Sequence, residues 1–259
     1  DYEARNLIGD DPENIRDTQY GNNYINDTKG HGTCTAGAIC PNKESHNVTD
    51  SITLMILKVC PIGDERDKDI ALAIRYAIVN GADIINMSFG KDFSPQKEIV
   101  CNEIRQVDCK NVLIIHSAGN SSRSTDTVMN FPHRFCNTEN CAVNTWLEVG
   151  ATGYTVDSTL IATFSNYGKN VDIFAPGIKI YSTSNNGGYD YYSGTSLSAP
   201  IVTGIAAIIK SYYPTLSCDQ LKSVIMSTCL RFDALDVLKP SKDDNNNEKM
   251  PFKNFSSSG

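Results

Sequence analysis

Three short segments carry residue types that can act on a carbonyl group. In Gly194-Thr195-Ser196-Leu197-Ser198-Ala199-Pro200 a serine opens a long apolar run. A hydroxyl at the head of a helix is exposed, and its own backbone N–H has no intrahelical acceptor, so it can face a developing oxyanion. In Gly30-His31-Gly32-Thr33 a histidine stands between two glycines, ahead of a small and apolar stretch over 34–39. Little covers such a ring, which suits it to act as a base. In Ser117-Ala118-Gly119-Asn120 an asparagine follows the apolar run 112–115 directly, where its amide can donate to an oxyanion. Each segment also has a plainer use, since Ser and Thr cap helices and Gly-Asn is common in turns. His46, His116 and His133 lack a comparable setting and read as structural.

These segments need elements to position them. Residues 52–59, 83–89, 112–115, 146–151 and 171–174 are short apolar runs of strand length. Between them, 68–79 carries Ile70, Ala73, Ile74, Ala77 and Ile78 at helical spacing, with Asn80-Gly81 as a stop. Ser94-Pro95 reads as an N-cap and first helical residue for a helix through Ile99, Val100, Ile104 and Val107. Residues 196–213 predict a buried central helix, and Ser217-Cys218-Asp219-Gln220 is a capping box for another. Strands alternating with helices imply an α/β fold with a mostly parallel sheet covered on both faces, whose ligands sit at strand carboxyl ends. Residues 1–239 read as one domain. The tail 240–259, with Asp243-Asp244-Asn245-Asn246-Asn247 and Ser256-Ser257-Ser258, is expected to be disordered.

Composition excludes several classes. The 23 basic and 30 acidic side chains give a net charge of −7 with no basic stripe, which argues against nucleic acid as a partner. No apolar run approaches the length of a membrane span. Nine cysteines are many for a cytosolic enzyme, and their spacing with His matches no zinc pattern. The short spacings Cys101/Cys109 and Cys136/Cys141 in polar surroundings favour disulfides in an oxidising compartment, with buried thiols as the other reading. Sequons at Asn26, Asn47 and Asn254 agree with a glycosylated, secreted or vacuolar protein.

Taken together and in this order, the three segments resemble the subtilase family of serine proteases. His31 matches its His-Gly-Thr motif, Ser196 its Gly-Thr-Ser motif and Asn120 the asparagine of its Ala-Gly-Asn segment. The stretches 81–90, 162–168 and 171–177 also look like family segments, and the resemblance spans roughly 29–230. It implies a three-layer subtilisin-like fold and a serine endopeptidase acting on proteins or peptides. Ser196 would be the nucleophile, His31 the base and Asn120 an oxyanion donor. Ser88, Phe89 and Gly90 would pair with an extended substrate, and Ala118 and Gly119 would wall the first specificity pocket. The resemblance further implies chemistry without a cofactor, structural calcium, an inhibitory propeptide, and action as a monomer. An esterase is disfavoured because Gly194-Thr195-Ser196 lacks the Gly-x-Ser-x-Gly elbow.

One element of the family pattern is not found. Its triad aspartate ends an apolar strand before the histidine, followed by Thr-Gly or Ser-Gly. Asp10, after Leu7-Ile8-Gly9, has only a two-residue apolar run, and Asp1 has no strand before it. The expectation is that the first strand and its aspartate lie upstream of residue 1. The alternative is a catalytically impaired subtilase fold used for protein binding. Leu197 and Ser198 replace the Met-Ala common after the serine, and Cys34 puts either a small buried residue or a reactive thiol three positions after His31.

Overall fold

The computed structural model describes residues 2–6, 26–40, 52–60, 65–135, 142–243 and 245–258. Asp1, Asp10, Asn47 and the Cys136/Cys141 pair lie outside the described residues. The central layer is a parallel sheet of β3 (Ile84–Met87), β4 (Leu113–Ser117), β5 (Trp146–Thr152) and β6 (Ile173–Pro176), in that order. Helices α2 (Asp67–Val79) and α3 (Lys97–Cys109) cover one face, and α4 (Thr195–Tyr212) and α5 (Cys218–Thr228) the other.

The side-chain alternation of β4 shows how sequence sets these layers. Ile114 joins Ile70, Ile104 and Trp146 on the α2–α3 side. Leu113 and Ile115 join Leu147, Val202 and Leu221 on the α4–α5 side. A strand buried on both faces needs an unbroken apolar run, which is what residues 112–115 supply. The chain thus has the expected three-layer α/β architecture with a parallel central sheet.

A second parallel pair stands apart. β1 (Tyr2–Asn6) pairs with β2 (Leu54–Lys58) in register Tyr2↔Leu54 to Asn6↔Lys58. β2 is only half-buried throughout, whereas β4 and β5 are buried at every residue. Helix α1 (His31–Ile39) packs on α4, where Gly204 lets the two backbones approach: a Cβ there would lie 2.7 Å from the Ile39 carbonyl oxygen. The antiparallel hairpin β7 (Ile180–Thr183) and β8 (Tyr189–Tyr192) backs α1 from the other side. There Ser182 Oγ donates to the Cys34 carbonyl at 2.6 Å and Thr183 Oγ1 to that of Thr33 at 2.7 Å.

Three expectations need correction. The tail is ordered from 245 to 258: β9 (Asp236–Leu238) pairs with β10 (Lys249–Pro251), and a 3-10 turn (Phe252–Asn254) follows. Phe252 and Phe255 are buried with Leu160, Ile161 and Val237, so two aromatic anchors outweigh the polar residues around them. Ser94 does not cap α3. Its hydroxyl donates to Asp67 Oδ1 at 2.6 Å, while Asp67 Oδ2 accepts from the Gln96 N–H at 2.8 Å. Finally, Cys101 and Cys109 share α3, so eight residues of helical rise, roughly 12 Å, separate them. A disulfide spans at most about 7 Å between Cα atoms, so these two cannot pair with each other.

Candidate active site

His31, Ser88, Phe89, Gly90, Gly119, Asn120 and Ser196 all line one cleft of about 1070 Å³ at the carboxyl ends of β3 and β4. Seven of the eight residues expected from the sequence are therefore brought together. Ala118 does not line it. It is fully buried, with its N–H donating to Val149 and its carbonyl accepting from Asn166 Nδ2 at 2.7 Å.

The serine side is the more tightly built. Ser196 is the second residue of α4, half-buried, with its N–H among those that no helical carbonyl accepts. Thr195 clamps the neighbouring asparagine: its N–H and Oγ1 both donate to Asn120 Oδ1, at 2.9 and 3.0 Å. The Gly119 N–H completes the clamp by donating to Thr195 Oγ1 at 3.1 Å. With its oxygen tied down, Asn120 keeps its Nδ2 donors for the cleft. A Cβ on Gly194 would lie 3.4 Å from Asn120 Nδ2 and 3.7 Å from the Ser196 nitrogen, so both nitrogens sit beside this glycine.

His31 is the first residue of α1, after Gly30 in the left-handed region (φ 79°). Asp27, which the sequence reading passed over, holds this turn. Its Oδ1 accepts from the Gly30 N–H, and its Oδ2 from the Thr33 N–H and Oγ1, each at 2.8 Å. An aspartate three residues before a glycine-led helix was the available signal. Burial raises the Asp27 pKa, but the Thr33 and Gly30 hydrogen bonds outweigh it and leave the net value lowered. The protein packed around His31 lowers its pKa, while the Asp27 charge opposes that change. Among the described residues, no side chain hydrogen-bonds the His31 ring.

Cys34 is buried, and its Sγ donates to the His31 carbonyl at 3.2 Å. Burial pushes its pKa up, which keeps it protonated and a poor nucleophile. His116 and His133 lie in the interior, away from the cleft. His116 Nδ1 is 2.9 Å from Glu148 Oε1, whose other oxygen accepts from Trp146 Nε1 at 2.8 Å. Among the described residues no three His, Cys, Asp or Glu side chains converge as metal donors, so no acidic donor set for calcium is found there.

The subtilase family profile matches residues 6–255, and the chain belongs to that family. It is a subtilisin-like serine protease domain. It is 31% identical to subtilisin DY of Bacillus licheniformis over 215 residues, covering 80% of this chain and 73% of that protein. It is 32% identical to alkaline elastase YaB of Bacillus sp. (strain YaB), covering 80% of this chain and 52% of that one. The chain thus spans about half the length of several curated relatives. Among solved structures, Sphericase superposes with a TM-score of 0.72 at 26% identity, covering 97% of this chain and 84% of its own.

Proposed function

We propose that this chain is the catalytic body of a serine endopeptidase. Ser196 Oγ attacks the scissile carbonyl, and His31 takes its proton and returns it to the leaving amine. Asn120 Nδ2 and the Ser196 N–H receive the oxyanion. The observation that carries this reading is the Thr195–Asn120 clamp, which fixes the amide oxygen and frees its nitrogen beside the Ser196 N–H. Ser88–Gly90 offers backbone for an extended substrate along the same cleft.

The carboxylate that orients His31 belongs, in this proposal, to a strand seated between β2 and β3. Among the described residues each of those strands has a neighbour on one side only, β1 for β2 and β4 for β3, and Leu54, Ile56, Asn86 and Ser88 from their two margins line the cleft. The protein would work as a monomer in the secretory pathway, the exterior or a vacuole, under an inhibitory propeptide. Exposed sequon residues Asn26 and Asn254 support that compartment. The relative named major intracellular serine protease, from Bacillus subtilis, shows that the family alone does not decide it.

Fluorophosphonate labelling tests the proposal. Label should bond Ser196 and vanish in Ser196→Ala. A chain extended upstream by an apolar strand ending in aspartate should react up to roughly 10⁴-fold faster. Label surviving in Ser196→Ala, or absent from both chains, overturns the catalytic reading and favours a binding module. Equal rates overturn only the inserted strand.

A further inference from the structure

Lys91 follows Ser88–Gly90 directly and is tied at both ends. Its backbone exchanges two hydrogen bonds with Phe131, N–H to carbonyl in each direction at 2.9 Å. Its Nζ lies 2.7 Å from Asp67 Oδ1 and donates to the Glu65 carbonyl at 2.5 Å. The lysine side chain is 9% exposed and that of Asp67 3%, so salt and water screen this pair little. Asp67 opens α2 and also holds the chain beyond Lys91, accepting from Ser94 Oγ at 2.6 Å and from the Gln96 N–H at 2.8 Å. Burial raises the Asp67 pKa, but the bonds from Lys91, Ser94 and Gln96 outweigh it and leave the net value lowered, so the carboxylate is charged at neutral pH. Glu65, Ser88, Phe89, Gly90 and Asp92 line the cleft, whereas Lys91 and Asp67 do not. The ion pair thus joins two cleft-lining segments without itself facing the substrate space.

We infer that Lys91 is a positioning residue: its ammonium holds the Glu65 and Ser88–Gly90 segments in the relative arrangement that an extended peptide needs. The inference rests on the serine-protease reading above and adds to it a residue that touches no reacting atom. Stability alone does not call for a charge here, because replacing a buried ion pair by apolar side chains of like volume is often neutral or favourable. What the charge supplies is a fixed join between two segments distant in sequence, made by a compact head with several donors. Ser196 stands on α4 and His31 on α1, so loss of the join leaves the reacting groups on their own supports. It acts on peptide binding, since a loosened wall must be ordered afresh each time a peptide docks.

Lys91→Met removes the charge at similar side-chain length and leaves Asp67 its Ser94 and Gln96 donors. In a Ser196→Ala background, a fluorescent alanine-rich peptide of about eight residues, roughly 27 Å when extended, should bind this variant roughly tenfold more weakly than the parent. With Ser196 intact, labelling by a small fluorophosphonate, which needs no extended wall, should keep its rate. In the upstream-extended chain proposed above, the same substitution should raise KM with kcat unchanged. Should Lys91→Met fail to fold, Lys91→Arg keeps the charge but puts a wide planar head in place of the ammonium, and should still weaken the peptide several-fold. Peptide binding equal to the parent's in a folded variant overturns the inference. A parallel loss of peptide binding and labelling overturns it as well, since that is what a merely structural lysine would give. So does a parent that binds no peptide. Labelling of the parent, scored separately, reports the catalytic reading, so either can fail alone.

Discussion

Ser196 and Asn120 stand where the four-stranded sheet meets α4, whereas His31 stands on α1, which leans on α4 and the β7–β8 hairpin. On the serine side, one threonine ties two elements distant in sequence through three hydrogen bonds, over strands with no exposed residue. On the histidine side the main anchor is the local Asp27 turn, and the adjoining strand β2 is half-exposed. The proposed nucleophile and oxyanion donors are thus fixed by the core, and the proposed base by a local turn on a helix that the hairpin and α4 support. Substitutions on the serine side should cost chemistry or global stability, and those on the histidine side should act locally.

The largest effect should come from Asn120→Ala in the upstream-extended chain proposed above. Losing the clamped donor should lower kcat by about 10²–10³ with KM little changed, because the bond strengthens only as the oxyanion forms. Steady-state kinetics on one peptide would check this. A fall confined to KM would mean that Asn120 binds substrate and does not stabilise the transition state.

The sequence made the serine side easy to read, and the reason is physical. Fully buried strands must be apolar runs, so β4 and β5 stood out, and the Ser217–Gln220 box closes in both directions as its spacing requires. The His31 and Ser196 segments sit on glycine-led helix starts, and the Asn120 segment directly follows the apolar strand β4. The less legible parts depend on partners far along the chain. Residues 180–192 are rich in Ser, Tyr and Asn, and only pairing with one another and packing on α1 makes them a hairpin. Phe252 and Phe255 find their pocket more than eighty residues upstream, beside Leu160 and Ile161. Thr195 read as a possible cap, and nothing local marked its bond to Asn120.

The interior of the serine side should also be sensitive to mild acid. His133 is buried, which lowers its pKa to about 4; the Glu148 charge opposes this, and the Arg134 and His116 charges add to it. Its Nδ1 accepts from the Phe135 N–H at 3.2 Å, which requires the neutral ring. The unfolded imidazole titrates near 6.5, so between pH 6.5 and about 4 the unfolded chain holds more protons than the folded one. Stability is therefore complete above 6.5 and falls as pH drops to 4, by roughly 3 kcal/mol. Denaturant midpoints across this range should fall for the parent and stay flatter for His133→Gln. Parallel slopes would remove His133 from the acid response.

The histidine side should respond in a lower window and by less. Asp27 has a net lowered pKa, so its contribution is present above the unfolded carboxylate value near 4 and is lost as pH falls through the folded value. Asp27→Asn keeps the shape but removes the charge at the head of α1, and should cost about 1 kcal/mol at neutral pH. That difference should shrink toward zero in acid. The same substitution removes the negative charge that raises the His31 pKa, so the acid limb of kcat/KM should move to lower pH. Thermal melts at pH 7 and pH 3, with a pH–rate profile, separate the two effects. A shifted limb with unchanged melting would make Asp27 an electrostatic partner of the base; changed melting with a fixed limb would make it only the clasp that holds α1.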